Sequence, residues 1–131
     1  MKKLLAILLC IASPAISESC WDHNGSLMRL KANGNQRYFI YEMPREGMRR
    51  DGVLPGQLLF NGEKTGSWYR GFSRVFSRQC PGAPLEYFVE GPVLQNPLRI
   101  EVSGGRPVHK NCQPTGEFTR DWLVFEYIGQ C

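Results

Sequence analysis

Short runs in which apolar and polar residues alternate with period two, rich in aromatic and β-branched side chains and separated by turn dipeptides, recur from residue 27 to residue 127. No stretch longer than two helical turns keeps apolar residues at helical spacing, which confines the chain to an all-β fold. The runs are 27–32, 37–43, 57–60, 67–77, 85–90, 98–103, 107–110 and 122–127, about eight strands. Asn33-Gly34-Asn35 is a hairpin turn. Centred on Gly34-Asn35, it sets Leu30 opposite Phe39 and Met28 opposite Tyr41 on one apolar face; centred one residue earlier, it sets Leu30 against Arg37. The stretch from Asn61 to Gly66 and the run Ser103-Gly104-Gly105-Arg106 read as tight turns between neighbouring strands. A small antiparallel meander of this kind either closes into a barrel or folds into a two-sheet sandwich. Closure removes exposed edges, so a closed barrel is expected.

The first residues follow a different logic. Met1-Lys2-Lys3 is a positive head, Leu4 to Ala12 is an apolar run of nine, and small residues precede a cut after Ser17. This predicts a secretory signal peptide over residues 1–17 and a single all-β domain over 18–131. Nine apolar residues are far short of the roughly 20 that span a bilayer, so no membrane span is expected after cleavage. Losing Lys2 and Lys3 lowers the formal charge from +4 to +2. That balance is too small to indicate a nucleic-acid partner without a clustered basic face.

Cys10 falls inside the leader, leaving Cys20, Cys80, Cys112 and Cys131. Four cysteines in a small exported chain predict two disulfides. Three pairings are open to them. In a closed meander the first and last strands are neighbours, which favours Cys20 with Cys131 and Cys80 with Cys112. The histidines, His23 and His109, lack zinc-ligand spacing, and neither a metal nor a cofactor is expected.

Along 68–78, Trp68, Arg70, Phe72, Arg74, Phe76 and Arg78 share one face of a strand. Rings alternating with guanidinium groups can hold single-stranded nucleic acid or an acidic glycan. Folding the chain back through residues 79–84 supplies a structural explanation, placing Arg78 opposite Glu86, Phe76 opposite Phe88 and Arg74 opposite Glu90. Trp68, Arg70 and Phe72 lie beyond those acids and are the ligand-binding candidates. A second candidate is the connection from Pro44 to Gly56, with no strand pattern, whose Arg45, Arg49 and Arg50 can clamp an anion bidentately. The competing reading pairs Glu46 and Asp51 with those arginines, while Met48, Val53 and Leu54 cap the barrel. Asp22, His23 and Ser26 are too close along an extended segment to form a catalytic triad, and no other catalytic constellation is present. The chain is therefore not expected to be an enzyme.

In size, export signal, cysteine count and strand content the chain resembles the small exported β-barrel inhibitors of c-type lysozyme carried by Gram-negative bacteria. That family presents a serine-glycine-rich loop to the enzyme, which Ser103-Gly104-Gly105-Arg106 matches in part; the resemblance implies an inhibitor with a partner loop there. The primary expectation is a bacterial periplasmic or secreted monomer that binds a protein partner or a small anionic envelope ligand.

Overall fold

A computed structural model describes residues 2–10, 15–82 and 84–131. Residues 11–14 of the expected leader and position 83 of the expected turn lie outside the described residues. Eight strands form one closed antiparallel barrel in chain order: β1 (Ser17–His23), β2 (Ser26–Asn33), β3 (Gln36–Met43), β4 (Leu58–Thr65), β5 (Trp68–Val75), β6 (Leu85–Leu94), β7 (Arg99–Lys110) and β8 (Gln113–Gly129). A five-residue helix, α1 (Glu46–Arg50), interrupts the β3–β4 connection, where no helix was expected. Among the described residues no helix is long and apolar enough to cross a membrane.

The β2–β3 register is the expected one, with Leu30 opposite Phe39 and Met28 opposite Tyr41. The total of eight strands hides two offsetting differences. Residues 17–23 form an additional first strand, whose polar composition masks the inward-facing Trp21 and His23. The two runs 98–103 and 107–110 are one strand, so Ser103-Gly104-Gly105-Arg106 is not a turn. Gly104 is needed for a close approach of backbones: a Cβ there would lie 2.0 Å from the Phe88 carbonyl oxygen of β6. The Asn61–Gly66 turn is likewise confined to its end. Gly62 pairs with Gly71 inside the β4–β5 ladder, and only Gly66 (φ 59°) adopts the left-handed turn conformation.

β5 and β6 pair four residues away from the expected register, with Phe72 opposite Phe88, Arg74 opposite Glu86 and Arg70 opposite Glu90. A shift of four keeps every side chain on its face and again matches ring with ring and charge with charge, so the local pattern does not distinguish the two registers. The observed one ends β5 at Val75 and begins β6 at Leu85, so the two strands are further apart along the chain than expected.

The barrel is filled by Phe39, Phe60, Phe125, Tyr41, Met28 and Ile100, each 2% exposed or less. Phe39 and Phe125 stack at 3.9 Å between centroids, on the strands β3 and β8. Both disulfides join the expected partners, Cys20–Cys131 and Cys80–Cys112. The first closes the β1–β8 seam, where three residue pairs meet. The second ties the β5–β6 loop to the turn between β7 and β8. Two such bridges indicate an oxidising, extracytoplasmic environment.

Because the meander is antiparallel, the β1–β2, β3–β4, β5–β6 and β7–β8 connections share one end. The long connections are all there, forming a mouth; the other end carries the β2–β3, β4–β5 and β6–β7 connections.

Candidate functional site

The predicted binding residues are regrouped by barrel closure into an outer groove and a recess at the mouth. Trp68, Arg70 and Phe72 stand on the outer face of β5, as the period of two requires. They do not lie beyond the matched acids. Arg70 faces Glu90 at 3.5 Å, the Trp68 Nε1–H donates to the same carboxylate at 3.1 Å, and Phe72 meets Phe88 edge to face at 6.1 Å. The acidic partners slide with the register and reach the start of the strand.

Beside this ladder runs a trough of about 680 Å3. Trp68, Glu86, Phe88 and Glu90 bound one side, Phe118 and Arg120 of β8 the other, and Ser103, Gly104, Gly105 and Pro107 of β7 lie between. The lack of a side chain at Gly105 leaves the strip open, with the Phe118 ring beside it. Arg120 is held in place, donating to Ser103 Oγ at 2.9 Å and lying 5.2 Å from the Trp122 ring centre. Trp68, Phe72, Phe88, Phe118 and Trp122 are between 41% and 70% exposed, a row of large rings that the fold does not bury.

Phe118 and Arg120 precede the run 122–127 that alternation marks as the last strand, so their shared face with Trp122 emerges only from the longer β8. Their signal is the one recognised on β5, a ring–guanidinium–ring alternation with period two.

The mouth receives Arg45, while Arg49 and Arg50 sit on the exposed α1. Of the expected capping contacts, Val53 is fully buried and Met48 packs on the core, but Leu54 is 64% exposed because the chain turns outward there. Of the expected ion pairs in this loop, Arg50 meets Glu46 at 3.5 Å across one helical turn, a surface contact of small energetic value. Asp51 forms no ion pair among the described residues.

Arg106 lines the mouth recess with Arg45, apart from the other members of its tetrapeptide. Alternation along β7 sends Ser103 and Gly105 outward and Arg106 towards the mouth. Tyr41, Tyr87, Arg74 and Asp121 complete the polar wall, and none of these was singled out as a site residue. Tyr87 donates its hydroxyl hydrogen to Asp121 at 2.6 Å; burial and this carboxylate both push its phenol up. Burial raises the Tyr41 phenol to about 12 against the opposing charge of Arg45.

His23 and Ser26 are cross-strand neighbours about the Asn24-Gly25 turn. Each has a structural partner. Ser26 Oγ accepts the Arg45 backbone N–H at 2.9 Å, and His23 Nδ1 lies 2.9 Å from the Val124 carbonyl oxygen. A carbonyl can only accept, so Nδ1 carries the proton. The ring also stacks on Phe125 at 4.6 Å.

Burial holds His23 below its usual 6.5. Above that value the histidine is neutral in folded and unfolded chains alike, and its contribution to stability is complete. As pH falls below about 6.5 the unfolded chain takes up the proton first, and stability declines by at most about 1.4 kcal/mol per pH unit until the folded-state value is reached. Urea unfolding of the wild type and His23→Gln between about pH 7 and pH 5 checks this. The expected outcome is a shallower acid slope in the variant; equal slopes would show that His23 titrates normally.

Among the described residues no group of three or more histidine, cysteine, aspartate or glutamate side chains is placed to hold a metal ion. No protein-family model, curated protein or solved structure matches this chain at a significant level.

Proposed function

We propose that this chain is an exported bacterial protein, periplasmic or secreted, that binds a protein partner through the outer groove of β5–β8 and catalyses no reaction. The observation that carries the reading is the row of exposed rings, Trp68, Phe88 and Phe118, around a strip of β7 left open by the missing side chain of Gly105. Large exposed apolar surface is costly in water and marks interaction sites, and tryptophan and arginine anchors dominate the energetics of protein interfaces. The groove carries Glu86 and Glu90 as well as Arg120, a mixed charge suited to a protein surface and poorly suited to a polyanion such as nucleic acid. The leader-like residues 1–17 and the two disulfides support export.

An inhibitor of lysozyme or another exogenous hydrolase is the specific form of this reading that the family resemblance favours. Ser103 and Gly105 line the groove, which keeps them available to an enzyme partner. Their place inside a strand means that such a partner would dock on a sheet face rather than accept an inserted loop.

Affinity capture from the exported fraction, repeated with Phe118→Glu and with Trp68→Ala, tests the proposal. A partner held by the wild type is expected to weaken by about 30-fold or more with either variant, as for an interface anchor. A c-type lysozyme activity assay run on the same proteins identifies the inhibitor. If no capture depends on Phe118 or Trp68, the groove is not the binding surface.

A further inference from the structure

We propose that the mouth of the barrel is a second, independent binding site, for a small organic carboxylate held by the guanidinium groups of Arg45 and Arg106 beside the Tyr41 ring. The recess there measures about 340 Å3, within the range of small-ligand sites. Three arginines line it, and they are not equivalent. Arg74 is engaged, donating to Asn61 Oδ1 at 2.7 Å and to Glu86 at 3.1 Å. Arg106 has a buried Nε with no hydrogen-bond acceptor; the nearby Asp121 lies 3.8 Å away and accepts the Tyr87 hydroxyl instead. Arg45 forms no ion pair among the described residues, although its backbone is fixed by Ser26.

A buried donor without an acceptor is costly, and a guanidinium matches the two oxygens of a carboxylate. Asp51 and Asp121 are the acids of the lining, and neither lies within ion-pair distance of Arg45. His23 adds no positive charge, since burial favours its neutral form. Among polar neighbours such as Asn24 and Ser26, the lining also carries an apolar strip, formed by Met48, Leu59, Val75, Phe76 and Leu123 beside the Tyr41 ring. That strip distinguishes an organic acid from an inorganic anion: phosphate would satisfy the arginines and leave the apolar side in contact with water.

The test is a two-dimensional amide NMR titration of the oxidised protein with acetate, succinate, benzoate and inorganic phosphate, each as the sodium salt at constant ionic strength. Saturable shifts clustered on residues 41–48 and 104–106 are expected for at least one carboxylate, strongest for benzoate, whose ring can lie against the apolar strip. Arg45→Gln and Arg106→Gln are each expected to weaken that binding about tenfold or more, and Lys64→Gln, near the opposite end of the barrel, to leave it unchanged. Wild-type dispersion in the spectra of the two arginine variants confirms that they fold; Arg45 is exposed at the rim, so its variant keeps the test decisive. Saturable shifts with phosphate alone would overturn the organic-acid assignment. No saturable shift with any carboxylate, or binding indifferent to both arginine variants, would remove the site. Failure of the groove variants to change partner capture has no bearing on either outcome.

Discussion

Replacing Cys20 and Cys131 together with serine is expected to lower the stability of the folded chain by about 4.8 kcal/mol, from the loop-closure entropy of a bridge spanning 111 residues. The same relation gives about 3.7 kcal/mol for Cys80–Cys112, which spans 32. The larger effect falls at a seam with little other support, where three residue pairs join β1 to β8. Loss of the bridge releases both ends of the meander at once. Against a total stability of about 5–15 kcal/mol for a domain of this size, the change leaves little margin. Urea unfolding of the double variant beside the wild type measures it. A loss below about 1 kcal/mol would show that strand pairing and the packing of Trp21 against Tyr127, at 5.3 Å, hold the seam without the bridge.

Phe125→Ala is expected to cost about 3–5 kcal/mol, because the ring it removes is fully buried and is used on both faces. Phe39 stacks at 3.9 Å with planes 8° apart, and His23 at 4.6 Å with planes 22° apart. Truncation leaves a void that eight hydrogen-bonded strands cannot collapse to fill, so the lost contacts add to the lost transfer free energy. At about 4 °C per kcal/mol the melting temperature should fall by about 12–20 °C. Phe125→Leu retains part of the volume and should lose clearly less. A drop of only a few degrees for the alanine variant would mean that the core relaxes around the site.

The two largest effects concern a covalent bridge and a buried ring, and both were partly legible before any coordinates. The pairing of Cys20 with Cys131 follows from closure of a meander, since closure makes the first and last strands neighbours. The apolar run ending the chain marked Phe125 as a strand residue, but its contact with Phe39 depends on how the sheet curls. The candidate sites were legible to a lesser degree. Trp68 and Ser103 belonged to different readings of the chain, one a stripe and one a turn, and they border the same groove. Arg45 and Arg106 were likewise assigned to alternative sites and line the same recess.

Period-two alternation and turn dipeptides are properties of short stretches, and they were sufficient for the all-β class and the β2–β3 register; barrel over sandwich and the choice among three cysteine pairings were favoured by the closure argument and decided by the tertiary structure. Cross-strand matching is blind to even slips, which is why the β5–β6 register moved by four residues while preserving its chemistry. A glycine pair likewise reads as a turn until the backbone opposite is known; at Gly104 the Phe88 carbonyl occupies the space a side chain would need. The mouth and the groove were decided by the tertiary structure alone, because only closure of the barrel determines which outward and inward side chains from distant strands come to stand together.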